Sequence, residues 1–318
     1  MLTLISDDLT SLSSRNGRNA MMKLEKAKIW IEGSRPRTLP ASVGPAILGG
    51  ALAYGVGGFS PLKEALAVVV ALFLQIGTNY ANDYSDGVRG TDEKRSGPRR
   101  LVASKSATPS QVKTAAFISF GVASLFGLVL VVLSSWWLIF VGAFSILAGW
   151  YYTGGKRPYG YLGFGEVFTF IFFGLVETIF TFYVQTSRFV FDDIAAGTIE
   201  GMLVTAVLVA NNLRDIPTDR ASNKITLAVR LGDSRTRVFY EFLMIAPYVI
   251  TAVMALSYPL VLITFVTTIP TFELIKVVRA KKVGRDLIPV LVGTSKMVLY
   301  NSLLLSAGVI ASKAFLNL

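Results

Sequence analysis

Residues 63–86 read KEALAVVVALFLQIGTNYANDYSD, an apolar run that closes on a cluster of amides and acids. A helix needs about 20 apolar residues to cross hydrocarbon roughly 30 Å thick, at 1.5 Å per residue. The stretch therefore predicts a membrane-spanning helix whose last turns carry Asn79, Asn82, Asp83 and Asp86. Residues 197–215 repeat the pattern and end in Asn211, Asn212, Arg214 and Asp215, with Asp219 just beyond. On a helix, Asn79, Asp83 and Asp86 fall at i, i+4 and i+7, and Asn211, Asp215 and Asp219 at i, i+4 and i+8 if the helix continues through Pro217. Each set would line one face. The two sets lie 132 residues and four spans apart, so their helices run the same way through the membrane, a weak parallel internal repeat.

Reading outward, apolar runs between charged or Gly/Pro-rich breaks give nine spans, near 38–57, 63–86, 110–132, 134–152, 164–186, 197–215, 237–256, 259–277 and 287–315. The fold class is all-α and polytopic. Composition agrees, since 53% of the 318 residues are hydrophobic and only 16% charged, with a mean hydropathy of +0.56. Residues 1–22 are polar and lack the apolar core of a cleaved signal, so they read as a disordered extension before a transmembrane domain over 23–318. Met21 or Met22 would serve as an alternative start, and residues 23–30 read as an amphipathic lead-in at the membrane surface.

With the N-terminus cytoplasmic, 27 of the 31 Lys and Arg residues fall on the inner side, and only Lys63, Arg188, Lys296 and Lys313 fall elsewhere. The positive-inside rule thus predicts a multi-pass protein of the cell membrane, with loops 87–108 and 216–235 cytoplasmic and the C-terminus outside. The net charge of +11 is accounted for by topology signals and lipid headgroups, and nucleic acid is not an expected partner.

The chain contains neither cysteine nor histidine. Disulfides, thiol nucleophiles, Cys/His zinc sites and imidazole bases are thereby excluded, and any metal must sit on oxygen. Oxygen donors suit Mg²⁺, Mn²⁺ or Ca²⁺, and Mg²⁺ is the usual choice where phosphates share the shell. Two acid clusters facing each other could hold such ions around a diphosphate. The plainer alternatives are solvated helix-end acids paired with nearby arginines, or a cation pathway in a transporter. Carboxylates at or inside a span are costly, which favours function.

Basic residues follow both clusters: Arg89, Lys94, Arg95, Arg99 and Arg100 after the first, and Arg220, Lys224 and Arg230 after the second. They are suited to phosphate oxygens as well as to topology. Lys156 and Arg157 occupy a short cytoplasmic loop after Trp150-Tyr151-Tyr152 and are candidate anion contacts. Glu166 and Glu177 fall at the start and middle of the fifth span, where a charge is expensive unless paired; Glu177 is read either as a proton acceptor or as a structural group. Aromatic residues are dense over 150–183, as lipid-facing packing or as faces that stabilise a cation.

These residues resemble the UbiA superfamily of intramembrane prenyltransferases, whose signature is an N-D-x-x-D cluster in the first half and a D-x-x-x-D cluster in the second. Asn82-Asp83-Tyr84-Ser85-Asp86 through Gly90-Thr91-Asp92, then Arg95-Ser96-Gly97-Pro98-Arg99, is similar to the 1,4-dihydroxy-2-naphthoate branch of menaquinone synthesis. So are Asn212-Leu213-Arg214-Asp215, the stretch from Asp219 through Lys224 to Gly232, and Arg35-Pro36-Arg37-Thr38-Leu39-Pro40. The commoner pattern places a third Asp where this chain has Gly90, with Asp92 the next acid.

The resemblance implies nine helices around a central cavity that opens to lipid, where a polyprenyl diphosphate meets 1,4-dihydroxy-2-naphthoate. Mg²⁺ would sit on Asp83, Asp86, Asp215 and Asp219, with Asp92 a further candidate. Asn82 and Asn211 would orient metal or phosphate. Arg95, Arg99 and Lys224 would clamp the diphosphate, and Lys156 or Arg157 would hold the acceptor carboxylate. Attack of the ring on an allylic cation, with loss of carbon dioxide and a proton, would give demethylmenaquinone. A CDP-alcohol phosphotransferase is a poorer match, because its second acid pair lies in the same local motif. A secondary transporter would carry acids nearer mid-membrane, on broken helices.

Overall fold

A computed structural model describes residues 15–91 and 100–316 of the chain. Every regular element among these residues is helical. The first, α1 (Arg15–Gly33), covers the amphipathic lead-in but begins inside the stretch 1–22 expected as an extension. No Gly or Pro stands between Arg18 and Glu32, and Ala, Met, Leu, Lys and Glu all favour the helix, so nothing stops it earlier. Its C-terminal turn is tied down where the Tyr80 hydroxyl donates to the Trp30 carbonyl at 2.7 Å.

Nine further helices follow among the described residues: α2 (Pro40–Gly55), α3 (Pro61–Arg89), α4 (Pro109–Leu133), α5 (Leu138–Tyr151), and α6 to α10 at Gly165–Thr186, Phe191–Ala221, Leu227–Met254, Pro259–Arg279 and Gly284–Leu316. Prolines open α2, α3 and α4, where a missing N–H costs nothing. Thr108 and Gln111 close a reciprocal capping box at the start of α4. Gly90, at φ 73°, supplies the left-handed residue that ends α3 just past its acids.

Seven of these helices are long and apolar enough to cross a membrane. The other two expected spans, α2 and α5, are helices of 16 and 14 residues, or about 24 and 21 Å at 1.5 Å per residue. Along α4 the side chains of Phe117, Leu125 and Val132 are exposed, the last by 85%, as a lipid-facing surface requires. At the centre stands α7, with 78% of its apolar stretch buried against 28% in α3, α4 and α6. It runs unbroken through Pro217 to Ala221, so both second-cluster aspartates are helical. Helix α6 passes α7 at very short range through a π-helical segment, Phe170–Val176. A Cβ on Gly174 would lie 2.2 Å from the Gly201 Cα, which leaves room for glycine only.

Candidate active site

A cavity of about 1150 Å³ runs between the helices. Helix α3 grades it: Ala67, Val70, Ala71 and Leu74 line one part, then Gln75, Thr78, Asn79, Asn82 and Asp86 line the rest. Leu128, Val131 and Val141 of α4 and α5 continue the apolar side. The polar end also receives Asn211, Asn212 and Arg214 from α7, together with Arg35, Arg100 and Lys224. The space therefore has one charged mouth and one hydrocarbon shaft.

Asp83, Asp86, Asp215 and Asp219 are all buried, between 1% and 6% exposed, but they face different ways. At 100° per residue, Asp86 lies about 20° to one side of Asn79 and Asp83 about 40° to the other. Asp86 accordingly lines the cavity, whereas Asp83 turns to the segment beyond α3. Its two oxygens accept the backbone N–H groups of Leu101 and Val102 at 2.7 and 3.1 Å. The single shared face expected for Asn79, Asp83 and Asp86 is thus divided between cavity and loop. Asp215 is gripped by its neighbour, with Arg214 Nε on Oδ1 and Nη2 on Oδ2, both at 2.7 Å. Asp83, Asp215 and Asp219 stand behind the cavity wall, not in it.

Asp86 joins three segments. The Tyr161 hydroxyl donates to its Oδ1 at 2.7 Å, and Lys224 Nζ lies 3.7 Å from its Oδ2. The Tyr161 ring sits between two cations, with Lys224 Nζ 5.2 Å and the Arg89 guanidinium 5.3 Å from its centre. Burial and the adjacent Asp86 carboxylate push the Tyr161 hydroxyl well up from its usual range, so it stays a donor. Arg89 also donates to the carbonyls of Thr153 and Gly155, pinning the loop between α5 and α6. Lys156 and Arg157 follow that pinned point and are exposed; neither lines the cavity. They do not reach the mouth as the sequence reading expects, because the carbonyls of their loop, not its cations, are turned toward α3. Asp92, Arg95 and Arg99 lie outside the described residues.

Several contributors were given no site role by the sequence reading. Arg35 enters the cavity wall from a left-handed backbone conformation, φ 56°, and its Nη2 donates to the Asn79 carbonyl at 3.4 Å. Glu166 accepts from Asn212 Nδ2 at 2.9 Å. Tyr152, Tyr159, Phe168 and Phe172 line the cavity, and Tyr159 stacks on Phe168 with 4.1 Å between centres. The aromatic density over 150–183 was the one sequence signal for these rings.

The donor chemistry fits a hard divalent cation, since every ligand on offer is an oxygen and Asp86 presents a carboxylate to the cavity. Among the described residues no three acids converge on one point. Asp83 and Asp215 keep further lone pairs on oxygens that already accept hydrogen bonds.

The pattern of the UbiA prenyltransferase family matches residues 42–286. A 1,4-dihydroxy-2-naphthoate octaprenyltransferase of Mycobacterium tuberculosis is 49% identical over 262 residues, 82% of this chain and 90% of that one. The Escherichia coli protein of the same name is 38% identical over 237 residues, 72% of this chain and 77% of its own. Among solved structures, a UbiA homolog from Archaeoglobus fulgidus bound to DMAPP and Mg²⁺ has a TM-score of 0.60 over 87% of this chain and 99% of that one. Its identity of 15% makes this a likeness of fold.

Proposed function

The chain belongs to the UbiA prenyltransferase family, and from that premise we infer that it transfers a polyprenyl group from its diphosphate to 1,4-dihydroxy-2-naphthoate. Diphosphate and carbon dioxide leave, and demethylmenaquinone forms in its reduced 1,4-diol state, since the transfer itself oxidises nothing. The observation that carries this reading is the graded cavity, a mouth of acids, amides and cations that opens into an apolar shaft on the same helix α3. A polyprenyl diphosphate has the same two-part chemistry.

Mg²⁺ is the proposed cofactor, held by Asp86 and by Asp83, Asp215 and Asp219 behind it, with Asp92 as a further ligand; when bound it neutralises the diphosphate charge. Around that charge, Lys224 and Arg214 supply fixed cations within a desolvated wall, where they act more strongly than in water. Asn82 and Asn211 orient the phosphate oxygens, and Arg95 and Arg99 complete the clamp as the family resemblance implies. Below the mouth, Tyr152, Tyr159, Phe168 and Phe172 present aromatic faces where an allylic cation would form, and the apolar shaft keeps water from trapping it. Lys156 and Arg157, exposed on the loop between α5 and α6, draw anionic substrates toward the mouth from a distance.

The proposed setting is the cell membrane, crossed nine times if α2 and α5 also span, with the N-terminus and both acid clusters cytoplasmic and the C-terminus outside. The charge distribution supports this arrangement. The test is prenyl transfer by purified protein in nanodiscs containing a long-chain polyprenyl diphosphate, 1,4-dihydroxy-2-naphthoate and Mg²⁺, read by mass spectrometry. Mg²⁺-dependent demethylmenaquinone is expected. Product with another aromatic but not with this one would overturn the acceptor, and no transfer to any acceptor would overturn the reaction.

A further inference from the structure

Four carboxamides, Asn79, Asn82, Asn211 and Asn212, line the polar end of the cavity. An amide nitrogen only donates and an amide oxygen only accepts, so what each presents depends on which of its ends is already held. Arg214 can only donate, and its Nη2 takes Asn211 Oδ1 at 2.9 Å. The nitrogen of Asn211 is the end left for the cavity. One residue later the polarity reverses: Asn212 Nδ2 donates to Glu166 Oε1 at 2.9 Å, which leaves the Asn212 oxygen. Helix α3 shows the same alternation. Asn79 Nδ2 donates to the Ser34 carbonyl at 2.9 Å, and the Thr153 hydroxyl donates to Asn82 Oδ1 at 2.8 Å. Each acidic helix thus brings one amide oxygen and one amide nitrogen to the cavity.

Glu166 is the costly member of this arrangement. It is 3% exposed, and it makes no ion pair among the described residues. Its Oε2 has no hydrogen-bond partner there either. A carboxylate kept in such a place for one amide contact is a poor device for stability. We propose that Glu166 is a positioning residue that fixes the Asn212 carboxamide with its oxygen toward the cavity, where that oxygen meets an electropositive partner, a divalent cation or a hydroxyl of the aromatic acceptor. Asn211, held the other way round, offers its N–H to the anionic oxygens of the diphosphate. The inference rests on the prenyl-transfer reading and deepens it.

Exchanging the two chemistries tests it. E166Q keeps shape but can hold Asn212 by either end, so the orientation is lost. N212D sets two carboxylates against each other. The swapped pair E166Q/N212D restores a donor on one side and leaves a carboxylate oxygen for the cavity. The full chain in nanodiscs is measured for thermal midpoint, for Mg²⁺ affinity by calorimetry without substrates, and for kcat and KM toward each substrate.

Each single change is expected to raise the Mg²⁺ Kd or the acceptor KM by about 10–100-fold, the usual scale for a partner that orients a ligand. The diphosphate KM should move much less, and the swapped pair should recover most of the loss. A higher Mg²⁺ Kd assigns the oxygen to the cation; a higher acceptor KM alone assigns it to the hydroxyl. E166Q with wild-type values would overturn the proposal, as would a swapped pair no better than N212D. If N212D does not fold, E166Q decides alone. Absence of prenyl transfer by the wild-type chain is a separate failure, of the reaction itself, and leaves the Mg²⁺ titration of E166Q as the test here.

Discussion

Helices α3 and α7 end in nearly the same letters, yet their acids are used differently. On α3 the carboxylates reach out of the helix, Asp83 to the backbone of Leu101 and Val102 and Asp86 to Tyr161 and Lys224. On α7, Asp215 accepts from two nitrogens of a neighbour in its own helix, Arg214. The cause is position. Much of α3 is open to loops and lipid, while α7 is enclosed on most sides, and a charge on an enclosed helix is stabilised by a counter-charge carried on the same helix. Like motifs therefore divide the labour: one end organises the loops beyond the helices and the other holds a fixed, preneutralised wall.

The largest expected effect falls on the residue that both ends share. Asp86→Ala removes the one aspartate among Asp83, Asp86, Asp215 and Asp219 that lines the cavity and at the same time frees Tyr161 and Lys224. Prenyl transfer should fall by about 10³-fold in protein that still elutes as a single species, in line with loss of a principal electrostatic group. A variant retaining a tenth of the activity would mean that the charge is handled elsewhere.

The next prediction separates the two helices directly. Asp83→Asn weakens two hydrogen bonds from Leu101 and Val102, each worth about 1.5–3 kcal/mol when the acceptor is charged. The segment after α3 should loosen, and limited trypsin digestion should cut after Arg100 faster than in wild type. Asp215→Asn breaks neither of the bonds from Leu101 and Val102 and should raise the cleavage rate much less, although both variants lose activity by about 10²-fold. Equal cleavage in the two variants would end the division of labour argued here.

That division could not be read from the sequence, although much else could. The apolar runs, the prolines and capping residues at helix starts, and the acids at helix ends are local signals, and local physics placed α3 to α6, α9 and α10 close to their expected ranges, whereas α8 begins ten residues before the expected 237. Helix α7 extends further than expected at both ends because Asp192 and Asp193 suit its positive N-terminus and Pro217 is accommodated near the other end. The rotation of Asp83 out of the cavity depends on a loop returning to meet it, and the pairing of Glu166 with Asn212 joins residues 46 positions apart. Tyr161 was missed, and Arg35 was noted in a motif without a site role, for the same reason: their partners come from other segments, and no spacing rule reports them.

Tyr161 offers a finer probe of the α3 end. Tyr161→Phe keeps the ring between Arg89 and Lys224 and removes only the donor to Asp86. The Mg²⁺ concentration for half-maximal activity should rise about tenfold, with little change in the diphosphate KM at saturating metal. If instead the diphosphate KM alone moves, the hydroxyl belongs to the substrate and not to the carboxylate.

The smallest effect is expected at the rim. Lys156 and Arg157 are exposed beside carbonyls already held by Arg89, so the double change K156A/R157A breaks no contact in the cavity wall. Exposed charges act on encounter and are screened within about 10 Å at 0.1 M salt. The KM of an anionic substrate should rise about threefold at low ionic strength, kcat should hold, and the difference should vanish in high salt. A fall in kcat that persists in salt would place one of these cations against the substrate in the working enzyme. It would then be the loop between α5 and α6, and not α3 alone, that closes the mouth.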